Sequence, residues 1–152
     1  NMTPYTGTWG FEQAAHLMRR ATFGATYQQI QSAVTAGMNA SVANLLTIPT
    51  ILPPLAYDPQ ETVAPFGTTW VNSVYQGPDT QPNENARYRS LAAWMMQRLN
   101  TNTNDISEKM ALFWQNHFAV EAVFDSRATY NYLQVIRSQS LGNFKQMVKD
   151  IF

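Results

Sequence analysis

Apolar positions recur at helical spacing through most of the chain, and one stretch breaks the rhythm. From about Gly10 to Thr22, Ala14, Leu17, Met18 and Ala21 follow i, i+3, i+4, i+7 spacing, which predicts an amphipathic helix closed by Phe23 and Gly24. Thr26 opens a second helix, because its hydroxyl and the Gln29 side chain are spaced for a reciprocal capping box. Tyr27, Ile30, Ala33 and Val34 form its stripe, and Gly37 supplies a left-handed stop. A shorter helix from Met38 or Asn39 carries Val42, Leu45 and Leu46 and ends before Pro49.

Between Ile48 and Asn83 the pattern changes. Seven of the eight prolines fall here, at 49, 53, 54, 59, 65, 78 and 82, which forbids long helices and disfavours central strands. Tyr57, Phe66, Trp70 and Tyr75 argue for an ordered wrap, because disordered linkers are poor in aromatics. A short strand or hairpin is expected around Thr68 to Tyr75.

Helical periodicity returns from about Asn83 to Asn100, with Tyr88, Leu91, Ala92, Met95 and Leu99 on one stripe. Asp105 is placed to cap the next helix with Glu108 as its capping-box partner, and Ile106, Met110, Phe113, Trp114, His117 and Phe118 share its apolar side. A helix from near Asp125 to about Ser140 carries Thr129, Tyr132, Leu133 and Ile136. Leu141-Gly142-Asn143 then turns into a last helix bearing Phe144, Met147, Val148 and Ile151, whose pattern still runs at Phe152. The expected class is all-α: about seven helices in an irregular bundle, residues 1–152 as one helical unit, with a proline-rich insertion at 48–83.

Composition narrows the function. Charged residues make up 13% of the chain, about half the usual share of about 25%, with neutral polar side chains in their place, as suits proteins outside the cytoplasm. Ten basic residues balance ten acidic ones, so no net field favours nucleic acid or anionic lipid. The longest apolar run, Leu91 to Met96, is far short of the roughly 20 residues of a membrane span. No charged-then-apolar leader precedes Trp9. Cysteine is absent, which excludes thiolate chemistry and cysteine-ligated metals. There is also no Gly-rich phosphate loop, no G-x-S-x-G elbow and no H-E-x-x-H. Asn39-Ala40-Ser41 fits a glycosylation sequon, whose meaning depends on the source of the chain.

Two segments, Ala14-Ala15-His16-Leu17-Met18-Arg19-Arg20-Ala21-Thr22-Phe23-Gly24 and Glu108-Lys109-Met110-Ala111-Leu112-Phe113-Trp114-Gln115-Asn116-His117-Phe118, carry a resemblance. Together with Leu141-Gly142-Asn143-Phe144, they resemble the bacterial domain-of-unknown-function 1800 family, in order and over nearly the whole chain. The resemblance implies a protein exported by bacteria, periplasmic, cell-surface or secreted, and an N-terminal portion of a longer domain with no assigned reaction. Gln115 stands where many members have a second histidine.

Both histidines lie in those segments. Glu12, His16 and Arg20 are four residues apart and line one ridge, and His117 and Glu121 repeat the spacing, so His16 and His117 are the candidate catalytic pair. A histidine hydrogen-bonded in the core explains the same pattern. Arg19 and Arg20 are the candidate anion site, although arginines near a helix C-terminus also complement its dipole. Trp70 and Tyr75 are candidate carbohydrate platforms, or anchors of the long loop. No metal ligand set and no cofactor are assigned. The leading expectation is a structural or interaction role in a surface or envelope assembly, with the remainder of its own chain, envelope proteins or glycans as partners. A hydrolase-like enzyme with a His-based site, completed by a C-terminal part, and a carbohydrate-binding surface are the alternatives.

Overall fold

In a computed structural model, which describes residues 3–75, 80–101, 104–120 and 125–151, the chain forms seven helices among the described residues. They are α1 (Phe11–Ala21), α2 (Tyr27–Ala36), α3 (Met38–Leu45), α4 (Gln81–Asn100), α5 (Ser107–His117), α6 (Ser126–Gln139) and α7 (Phe144–Ile151). The all-α class is confirmed.

The first three helices form a corner built from small side chains. Ala14, Ala15, Met18 and Ala21 of α1 pack on Ile30 and Ala33 of α2 and on Leu45 of α3, because alanines let helix backbones approach closely. The Thr26 capping box forms as expected, its hydroxyl accepting from the Gln29 N–H at 3.2 Å. Gly37 has φ +85°, a conformation that glycine adopts without penalty, and it ends α2 while its carbonyl accepts from the Ser41 N–H to begin α3. The Trp9 indole N–H and the Ser41 hydroxyl both donate to the Ala33 carbonyl, at 3.1 and 2.9 Å.

A second cluster joins the proline-rich segment to α4 and α6 through Ala56, Ala64, Trp70, Leu91, Trp94, Tyr130 and Leu133. One face of α4 holds the segment by polar contacts at residues 83, 87, 90 and 94. Asn83 accepts from the Thr62 N–H at 2.7 Å, the Ser90 hydroxyl donates to the Leu55 carbonyl at 2.7 Å, and the Trp94 indole donates to the Leu52 carbonyl at 2.8 Å. Arg87 is the centre of this face. It is wholly buried, donates to both oxygens of the buried Glu61 (Nε at 2.5 Å, Nη2 at 3.2 Å) and reaches the Ser73 carbonyl at 3.0 Å. Glu61 in turn accepts from the N–H groups of Val63 and Ala64, which folds the loop around the carboxylate.

Three expectations change. The hairpin at 68–75 is instead a single bridge between Leu55 and Thr69, since prolines on both sides leave too few N–H groups for a ladder. Helix α4 starts at Gln81 and not Asn83, because Pro82 lies in the first turn, where its missing N–H has no partner to lose. Helix α5 has no Asp105–Glu108 capping box: Asp105 accepts from the Ser107 N–H at 3.0 Å, and Glu108 turns into the core. Its buried residues are therefore Ser107, Glu108 and Ala111, and its aromatic side faces outward.

Replacing Arg87 by Met strands a buried carboxylate, so the urea unfolding midpoint is expected to fall by an amount equivalent to about 3–5 kcal/mol. Adding Glu61→Gln, which removes the stranded charge but keeps an acceptor for the Val63 and Ala64 N–H groups, recovers part of it; a single-variant loss below about 1 kcal/mol contradicts the structural role of the pair.

Candidate functional site

The two histidines occupy different surfaces. His16 is exposed at the middle of α1 and lines a shallow depression with Phe11, Glu12, Ala15, Arg19 and Arg20, so the predicted ridge exists. Among the described residues the His16 ring forms no hydrogen bond or ion pair, and Arg19 Nε donates to the Ala15 carbonyl at 3.1 Å. His117 ends α5, exposed, its ring against Phe113 and Trp114 at centroid distances of 4.8 and 5.8 Å. The expected pairing with Glu121 falls outside the described residues. Among the described residues no group of three His, Asp or Glu side chains is placed to hold a metal ion.

The segments that contain the histidines meet through other residues. Lys109 Nζ donates to the Thr22 carbonyl at 3.1 Å and lies 5.8 Å from the Phe23 ring, so a cation on α5 caps the end of α1. Beside it, buried Glu108 accepts from Arg137 of α6 at 3.1 Å and from Arg98 of α4 at 3.3 Å. Arg137 also lies over the Trp94 ring at 4.5 Å, and its Nη1 has no partner among the described residues. Much of what makes these segments distinctive is thus inter-helix wiring.

The outward side of α5 joins α7 in a ladder of rings. Trp114 packs against Phe118 at 6.1 Å and Phe144 at 5.5 Å, Phe118 against Phe144 at 6.0 Å, and Phe113 edge-on to Trp114 at 5.0 Å. Phe113 and Phe144 remain 46% and 55% exposed. The Trp114 indole donates to the Ser140 carbonyl at 3.1 Å, and the Tyr132 hydroxyl donates to the Phe118 carbonyl, fixing the ladder to α6.

Trp70 is fully buried, with its indole N–H on the Ser90 hydroxyl at 3.0 Å, so it offers no face to a sugar. Tyr75 is half-buried beneath Arg87 and Arg127, at 4.2 and 5.2 Å, and donates to Glu84. The exposed rings of the segment are Tyr57 and Phe66, edge-on at 5.5 Å. Tyr57 borders a groove of about 730 Å³ between α4 and the extended residues 50–59, lined also by Leu52, Leu55, Trp94, Arg89 and Arg98. The sequence gives no sign of this groove, because its walls come from segments some 30 to 40 residues apart.

Charges around the proline-rich segment are tuned in opposite directions. Burial pushes Glu61 up, but Arg87 and the N–H groups of Ala64 and Val63 outweigh it and hold the carboxyl below its ordinary range. Asp58 is lowered by the Gln60 N–H and by Arg89, and Asp125 by Arg127. Glu84 is raised: burial outweighs the hydrogen bond from the Ser126 N–H at 2.5 Å.

A family model described as "Protein of unknown function (DUF1800)" matches residues 16–152. No curated protein and no solved structure matches the chain significantly. Among the described residues no helix is long and apolar enough to cross a membrane.

The two carboxyls predict opposite pH signatures. A lowered folded pKa, as at Glu61, contributes stability above the ordinary value of 4.5 that is lost as pH falls through the folded value. A raised one, as at Glu84, contributes stability that is complete below 4.5 and lost as pH rises through the folded value. Urea midpoints of Glu84→Gln are therefore expected to gain on wild type steadily as pH rises from acid to neutral; a gap that stays constant or shrinks contradicts the assignment.

Proposed function

Because the chain belongs to the domain-of-unknown-function 1800 family, a kinship that attaches no reaction to it, we propose that it is a helical interaction module of an exported bacterial protein. It engages a companion envelope protein through the aromatic face of α5 and α7. The observation that carries this reading is the partly exposed ladder Phe113, Trp114, His117, Phe118 and Phe144. Aromatic residues are enriched in interface cores, and a contiguous exposed apolar patch on a folded chain marks an interaction surface. The Trp114 ring is held by its bond to the Ser140 carbonyl just past α6, and the backbone of Phe118 by the Tyr132 hydroxyl, so the Trp114 side chain loses little entropy on docking.

On this reading His117 contributes a polar edge to an apolar contact, as histidine does in interface cores, and no reaction is assigned to it. On the same reading the partner lies in the envelope; the low charge density of the chain supports export.

A photo-crosslinking residue at position 144, introduced into the native protein in cells, is expected to give one dominant adduct with a second protein in the envelope fraction. The same probe at exposed Gln28 on α2 gives none. Adducts no stronger than the Gln28 control, crosslinks confined to the chain itself, or recovery of the protein from the cytoplasm overturn the proposal.

A further inference from the structure

The groove along α4 lies apart from the aromatic face and has a chemistry of its own. Its α4 wall is two adjacent ridges, Arg89, Ala93, Gln97 and Thr101 beside Ser90, Trp94 and Arg98. From Arg89 to Thr101, twelve steps of about 1.5 Å make it about 18 Å long, the shape of a short linear oligomer. Its volume of about 730 Å³ is in the range of small-molecule sites.

The walls disfavour a peptide strand. Backbone pairing needs free N–H and C=O groups, but α4 satisfies its own, Pro53 and Pro59 have no N–H, and the Leu52 and Leu55 carbonyls already accept from Trp94 and Ser90. The groove's polar lining is side-chain amide, hydroxyl, guanidinium and carboxylate, set among apolar Leu52, Leu55 and Ala93, with Tyr57 61% exposed at the rim. That combination suits a ligand whose hydroxyls are bonded by planar polar groups while one face stacks on an aromatic ring. Charge selects further. Arg89 is balanced by Asp58 at 2.7 Å, whereas Arg98, the groove's second guanidinium, shares the single carboxylate of Glu108 with Arg137 among the described residues. We propose that the groove binds a short linear oligosaccharide bearing carboxylates, with Tyr57 as the stacking platform and Arg98 as the partner of an acid group.

Calorimetric titration of the whole chain with tetragalacturonate tests this, with its methyl ester and hexaglutamate as comparison probes. Tetragalacturonate is expected to bind, with affinity falling at least about tenfold in Tyr57→Ala and in Ala93→Trp, which fills the groove from an exposed position, and falling with added salt. The methyl ester binds at least about fivefold more weakly, and Phe144→Ser, on the aromatic face, leaves binding unchanged. Absence of tetragalacturonate binding, undiminished binding by Ala93→Trp with an intact circular-dichroism melt, equal binding of the ester, or equally tight hexaglutamate overturns the proposal.

Discussion

The buried pair of Arg87 and Glu61 is the constraint on which the middle of the molecule depends. A proline-rich stretch cannot hold itself by helix or sheet hydrogen bonds, so it must borrow donors and acceptors from its neighbours. Glu61 Oε1 accepts from two N–H groups of its own loop, the carboxylate accepts twice from Arg87 of α4, and the third arm of Arg87 reaches Ser73 further along the same loop. Desolvating both charges is costly, and such a pair is favourable only when its hydrogen bonds are satisfied; here Glu61 has four. With that staple in place, Trp70 seats in the core and residues 50–59 lie along α4, which creates the groove.

Much of the helical layout is legible in the sequence, since α1 to α3 announce themselves by apolar spacing, a Thr–Gln cap and a glycine stop. The face of a helix is harder to read when its buried residues are charged. Helix α5 shows an aromatic stripe and is expected to bury it, yet Glu108 goes inward because arginines 10 residues before and 29 residues after it converge there. Likewise α4 buries Glu84 and Arg87 beside Leu91 and Trp94, and no local pattern reveals partners that lie across the fold.

The candidate sites divide along the same line. His16, Arg19 and Arg20 share a surface ridge as their spacing requires, because i, i+4 geometry is local. Whether an aromatic is platform or anchor is not local: Trp70 is an anchor, and Tyr57 and Phe66, two of four rings in the segment, have the exposed faces. Kinship is carried by segments whose conspicuous residues, Glu108 and Lys109, tie helices together, so the resemblance speaks to the fold more directly than to a reaction.

Hydrogen exchange at single amides tests most directly whether Arg87 and Glu61 hold the proline-rich segment against α4. The N–H groups of Val63 and Ala64 on Glu61, and of Ala56 on Thr68, are expected to be strongly protected in the wild-type chain. In Arg87→Met they lose that protection while the N–H of Ile30, within α2, keeps it. Fast exchange at Val63 and Ala64 in the wild type, or protection that survives the loss of Arg87, contradicts the dependence of the segment on the pair.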